Sequence, residues 1–279
     1  MSPVTPPTVE TIWRRYDAME ARLTAPVSER LVTLAGLAPG HHVLDLATGR
    51  GEPALLAARR VAPHGHVLGL DLAATMLDMT RERADREGLS NLELRVGDAQ
   101  YLEGVPEAAF DAVLCRWGLM YMGSPTLALT AARRSLRPGG VLCVALWAEP
   151  ERVPYYTLPR VVLEAFRSIP PIDFEAPGTF RLAHLERIHR DFDAAGLHVD
   201  FIEELDIPVM EADTGAELVA WARAFGLGRL LDGLPERAQM AWEDAFVSAA
   251  RPHFDGVHYH LGGVTRLVRA RPRDADSCT

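Results

Sequence analysis

The chain of 279 residues is 48% hydrophobic and 24% charged, with a net charge of −9, which suits a soluble globular protein with one large core or two smaller ones. All 29 basic residues are arginine, so a lysine Schiff base, pyridoxal chemistry and a lysine-bearing phosphate loop are excluded. The acidic balance argues against a nucleic-acid partner. Residues 1–8, rich in Pro and Thr, read as a disordered tail without the basic and apolar stretches of a secretion signal. Val9–Leu34 is amphipathic and interrupted by Pro26, which predicts two short helices in an N-terminal segment of residues 9–40.

From residue 41 a regular alternation begins. It predicts strand His42–Leu46, helix Pro53–Val61, strand His66–Leu70 and a helix from about Ala74 to Glu87. Strands Leu92–Val96 and Phe110–Arg116 follow, then helix Leu127–Leu136 and strand Gly140–Trp147. Strands and helices at this spacing imply βαβ units and an α/β fold, with a parallel sheet covered on both faces. The rhythm changes after Trp147, where residues 148–180 hold six prolines and an aromatic cluster. Helix Leu182–Ala195 leads through Gly196 to a sixth strand, Leu197–Leu205, and a helical stretch at 208–255 precedes a last strand, Gly263–Ala270. The expected organisation is therefore a core at 41–147, an insertion at 148–190, a helix end and sixth strand at 191–207, a second insertion at 208–258, a last core strand at 259–271 and a tail at 272–279. The longest strongly apolar run, Val141–Ala148, is too short to cross a bilayer. Cys115 and Cys143 fall in predicted strands, Cys278 in the tail, and none has metal-ligand spacing, so reduced thiols in a cytoplasmic protein are expected.

The most informative stretch is Asp45-Leu-Ala-Thr-Gly-Arg-Gly51, which follows one strand and opens a helix. Ligands of a parallel α/β sheet bind beyond the carboxyl ends of its strands, and Gly49 and Gly51 let backbone approach closely there. Asp71 ends the next strand, where a carboxylate can accept from ribose hydroxyls, and Asp98 follows the third. Gly49-Arg-Gly51-Glu-Pro-Ala54 also satisfies the dinucleotide pattern. A pyrophosphate, however, would meet Asp45 in the loop and Glu52 in the expected first helical turn. Those acids suit a cation, and with Asp71 and Asp98 they suit a nucleoside bearing a positively charged tail.

These motifs resemble the class I S-adenosylmethionine-dependent methyltransferases: Val43–Gly51, Gly69–Leu77, Val96-Gly-Asp98-Ala99, Phe110–Leu114 and Leu136-Arg-Pro-Gly-Gly140, in order over about residues 41–147. The branch that methylates quinones, sterols and small natural products is the most similar. The resemblance implies a seven-stranded Rossmann-like doubly wound sheet, its last strand antiparallel, with helical lid insertions and S-adenosyl-L-methionine as cofactor. Asp45 would belong to the cofactor loop, and Ala47, Thr48, Gly49 and Gly51 would wrap the methionine portion. Asp71 would hold the ribose, with Leu72 and Met76 beside the adenine. Asp98 would take the adenine amino group and Ala99 would donate a backbone N–H. Arg116 and Trp117 would offer backbone to the ammonium. The N-terminal segment would cover the cofactor, with Tyr16 closing over the carboxylate. The sequence departs from the pattern at Ala47, where the family has its first glycine, and a narrower loop is expected there.

The acceptor is expected to be a small, largely apolar molecule, because the two insertions are rich in aromatic and aliphatic residues. A hydroxyl acceptor gains from a base. His258, then His184, are the candidates by position, and Tyr121 is expected to line the pocket. No metal site is expected. An alternative on the same loop is a protein that binds the cofactor as a scaffold or catalyses a non-methylating rearrangement. A nicotinamide oxidoreductase is disfavoured by Asp45, Glu52 and Asp98.

Overall fold

A computed structural model describes residues 9–273; the terminal stretches outside it include the expected tail at 1–8 and Cys278. The chain divides into two compact units. One takes the described chain up to Thr24, then Glu149–Ile172 and Asp206–Val264. The other takes Ala25–Ala148, Asp173–Leu205 and the chain from Thr265.

Seven strands form one sheet: β1 (His42–Leu46), β2 (His66–Asp71), β3 (Leu92–Val96), β4 (Phe110–Arg116), β5 (Leu136–Trp147), β6 (Leu197–Ala212) and β7 (Tyr259–Pro272). Their spatial order is β3-β2-β1-β4-β5-β7-β6. β1 to β5 pair in parallel, and β7 runs antiparallel to β5. This is the Rossmann-like sheet that the motifs implied. The strand order reverses between β1 and β4, and a crevice opens at such a switch point beyond the carboxyl ends. The apolar run of β1 is buried from Val43 to Leu46, as a strand covered on both faces requires.

The first helix corrects the sequence reading. α1 runs unbroken over Val9–Leu34 with Pro26 inside it. An interior proline costs about 3 kcal/mol, but Leu23, Val27, Leu31, Val32 and Leu34 are all buried, at roughly 1.5–3 kcal/mol apiece. Packing therefore outweighs the local penalty. α2 (Ala54–Val61) and α3 (Ala74–Arg86) follow β1 and β2. α4 (Pro125–Ser135) starts on a Ser124 cap that accepts the Leu127 N–H, with Pro125 at its first position. Between β4 and β5 the register shifts past Phe110, where the Arg-Pro-Gly-Gly turn loops out with Gly139 at φ +81°.

The insertions are helical: α5 (Pro154–Glu164), α6 (Leu185–Ala194), α7 (Gly215–Ala222), α8 (Gly228–Asp232) and α9 (Glu236–Ala249). Trp221, Trp242 and Phe246 sit in the hydrophobic core of the first unit with Leu163, Leu218 and Leu231. β6 and β7 outrun their predicted lengths. The sequence reading ends β6 at Leu205, yet the strand continues through Pro208 to Ala212 as the last strand of the sheet, where an edge strand tolerates proline. Among the described residues no helix is long and apolar enough to cross a membrane.

Candidate cofactor site

The residues singled out at the strand ends share the second unit. Asp45, in β1, is fully buried, and neither of its carboxylate oxygens has a hydrogen-bond partner. The Thr48 hydroxyl donates instead to the Asp45 backbone carbonyl, at 3.0 Å. Burial pushes the Asp45 carboxyl up to about 8, against the opposing pull of Thr48 and Arg116. A buried, unpartnered carboxylate costs several kcal/mol unless a counter-charge arrives. The side chain is thus prepared for a cation.

The loop after β1 is pinned by β2 and α3. Ala47, Gly49 and Gly51 all take left-handed φ, at 55°, 56° and 106°. The Gly49 N–H donates to Asp71 Oδ2 at 2.8 Å, and the Thr48 N–H donates to the Leu70 carbonyl at 2.9 Å. From α3, the buried Thr80 hydroxyl donates to the Gly49 carbonyl (2.8 Å) and Arg83 Nη1 to the Arg50 carbonyl (2.7 Å). Arg83 Nη2 also pairs with Glu52 at 2.9 Å, both side chains being mostly buried. Glu52 therefore differs from its expected role in the first helical turn. It precedes α2 instead of opening it, and its charge is answered by Arg83, so cation preference rests on the three aspartates.

Ala47 is accommodated by a neighbour. A Cβ on Gly118 would lie 2.4 Å from the Ala47 Cβ, so the side chain that departs from the family pattern fills the space that Gly118 leaves. Just before it, Trp117 holds φ at 53°. Its ring stacks on Trp147 at 4.6 Å, its Nε1 donates to Thr265 Oγ1 at 2.8 Å, and the Arg116 guanidinium lies 4.9 Å from its centroid. The Trp117 N–H is spent on the Ala145 carbonyl.

At the end of β2, Asp71 Oδ1 accepts from the Ala73 N–H at 2.8 Å. Each of its oxygens keeps a lone pair for a further donor. Leu72, the next residue, is 70% exposed, an apolar side chain left open beside a polar cup, and Met76 is half-buried. After β3, both Asp98 oxygens accept from Gln100 Nε2 at 3.1 Å, while Gln100 Oε1 accepts the Ser124 N–H at 2.6 Å. Ala99 is buried. Gln100, Thr80 and Arg83 hold the site yet escaped the sequence reading: the partners of Thr80 and Arg83 are distant in the chain, and nothing local marks Gln100 as the residue that positions Asp98.

Tyr121 is 53% exposed, and its hydroxyl lies 3.0 Å from Thr179 Oγ1. His184 caps α6 with its ring 4.8 Å from Phe174. Tyr16 belongs to the first unit, where its ring lies 5.6 Å from Phe225. His258, in the same unit, has Nε2 3.2 Å from Asp213 Oδ1.

Three carboxylates at adjacent strand ends, one of them orphaned, and a loop of close-approach backbone fit a cationic nucleoside. Residues 37–162 match a methyltransferase domain. The motif resemblance is thereby borne out over that stretch. A demethylmenaquinone methyltransferase of Symbiobacterium thermophilum is 35% identical over 136 residues, 47% of this chain and 54% of that protein. A nocamycin O-methyltransferase of Saccharothrix syringae is 37% identical over 45% of this chain and 44% of that protein. The chain thus spans about half the length of the curated relatives it matches. The YcgJ protein of Bacillus subtilis superposes with a TM-score of 0.59 at 16% identity, over 90% of this chain and 99% of that one, and so shares the fold.

Proposed function

We propose that this protein is an S-adenosylmethionine-dependent methyltransferase that acts on a small, largely apolar acceptor in natural-product biosynthesis. The observation that carries the reading is the buried, unpartnered Asp45 carboxylate within a matched methyltransferase domain. The cofactor would supply a methyl group on a sulfonium, an acceptor nucleophile bonding to the methyl carbon as the C–S bond breaks and the neutral thioether leaves. The chain's own work is to bind and align. Asp71 takes the ribose hydroxyls, and Leu72 and Met76 flank the adenine. Asp98, oriented by Gln100, accepts from the adenine amino group. Asp45, with the backbone of the Ala47–Gly51 loop and the Arg116–Trp117 turn, answers the cationic end. Alignment and exclusion of water can supply roughly 7–11 kcal/mol without a dedicated base, so the reading does not depend on His258 or His184.

The acceptor class is argued from an aromatic cavity within the first unit. It measures about 70 Å³ and is lined by Tyr155, Tyr156, Pro159, Trp221 and Phe225, with Arg160 the charged member. An aromatic or alicyclic portion of an acceptor fits such walls. A cytoplasmic setting accords with free, buried Cys115 and Cys143, whose thiols burial pushes up to about 12. Calorimetry with S-adenosylmethionine, its demethylated product and NAD tests the reading. Binding of the first two is expected, with affinity at least tenfold weaker in Asp71→Ala, and a compound panel should yield products heavier by one CH2. Binding of NAD alone overturns it.

A further inference from the structure

A second cluster lies in the first unit. Glu211, near the end of β6, His258, just before β7, and His260, at the start of β7, bring one ligand atom each within 4.8 Å of the others. β6 and β7 are neighbours in the sheet. We propose that Glu211, His258 and His260 form a binding site for a divalent transition-metal cation of the zinc type.

The ligand set and its supports argue for this. Two imidazoles and a carboxylate are zinc ligands, and three protein ligands leave a fourth position for water. Imidazole donors favour zinc, copper or nickel over magnesium and calcium. His260 is held as a metal-binding histidine usually is. Its Nε2 lies 2.9 Å from Asp255 Oδ2 and its Nδ1 lies 3.8 Å from Glu211 Oε2, so a carboxylate stands behind one ring nitrogen while the other faces the cluster. Asp255 is fixed in turn, its Oδ1 accepting the N–H groups of Val257 and His258 at 2.8 Å each. His258 has a carboxylate of its own, Asp213, 3.2 Å from Nε2. The two rings stand 5.9 Å apart at 70°, inclined as ligands converging on a point and not stacked. Arg22 Nη2 occupies only the other oxygen of Glu211, Oε1, at 2.6 Å. Three carboxylates and one guanidinium leave a local charge of −2, which a divalent cation neutralises. Around a cation with ligands at about 2.0–2.2 Å, tetrahedral donor atoms stand roughly 3.3–3.6 Å apart, so small side-chain torsions close the set. Sequence spacing concealed the site because Glu211 comes from a different strand.

The test uses the untagged full chain, stripped with chelator and titrated with Zn2+ alone by calorimetry and by competition with a chromogenic chelator. One equivalent should bind in the micromolar range or tighter. Asp255→Asn should weaken binding by about 10–100-fold, and the pair His258→Ala and His260→Ala together should abolish it while circular dichroism stays unchanged. Should the double variant fail to fold, Glu211→Gln carries the same test, with an expected loss of at least tenfold. Co2+ should give the visible bands of a four-coordinate nitrogen and oxygen site in the wild type and not in the variants. Wild-type affinity confined to the millimolar range, or binding unchanged in the variants, overturns the proposal.

Discussion

Ala47 and Gly118 show how one residue decides what another can be. Ala47 holds a left-handed φ, which costs a non-glycine residue roughly 1–2 kcal/mol, and its methyl occupies the space above Gly118. Gly118 itself has an ordinary φ of −102°, so a side chain there would suffer chiefly from the clash at 2.4 Å, with Cys115 Sγ a second close neighbour at 3.1 Å. Gly118→Ala should therefore lose about 1–3 kcal/mol of stability by overpacking. Adding Ala47→Gly should recover most of that, with a coupling of at least about 1 kcal/mol in a double-mutant cycle followed by urea unfolding. Simple additivity would remove the pairing. Asp45, Asp71 and Asp98 were legible from sequence because each ends or follows an apolar strand, and the fold sends strand ends to ligands. Gln100, Thr80 and Arg83 were not, since nothing local distinguishes a glutamine that positions an aspartate from one that faces water. Glu52 was misread for the same reason: its partner Arg83 stands 31 residues away.

At the scale of elements, β1 to β4 were readable to within a residue, β1, β2 and β4 because burial on both faces writes unbroken apolar runs, whereas β5 begins four residues earlier than expected, at Leu136. The departures all occur where packing or sheet position overrides a local breaker. Pro26 is carried inside α1 by the aliphatic side chains that the helix buries, and Pro208 is tolerated in β6 because that strand is an edge. Gly262 looks like a strand boundary in sequence, yet it lies inside β7 for want of a side chain. A Cβ there would sit 1.9 Å from the Ile207 carbonyl oxygen, a backbone atom with no room to yield. Gly262→Ala should destabilise the protein by at least about 2 kcal/mol and raise hydrogen exchange at Ile207–Val209. An equal change spread across β1 to β4 would contradict this local account.

For the whole molecule, the buried carboxylate of Asp45 makes folding depend on pH. Its folded value is about 8 against about 3.9 in an unfolded chain. Between those values the native state holds a proton that the unfolded state lacks, so stability falls as pH rises, by up to ~1.4 kcal/mol per pH unit. Below about 4 both states are protonated and the difference vanishes. Above about 8 the penalty is complete and constant. Urea unfolding of the wild type and Asp45→Asn at pH 5, 6, 7 and 8 isolates this contribution, because other titrations cancel in the comparison. The variant should gain relative to the wild type at each step. A cationic cofactor reverses the preference by favouring the ionised carboxylate, so S-adenosylmethionine should release a proton on binding near pH 7. The neutral thioether product should release less, a difference readable by calorimetry in buffers of unlike ionisation enthalpy. If the gap between wild type and variant stays flat from pH 5 to 8, Asp45 is ionised throughout the free protein and its counter-charge is already built into the fold.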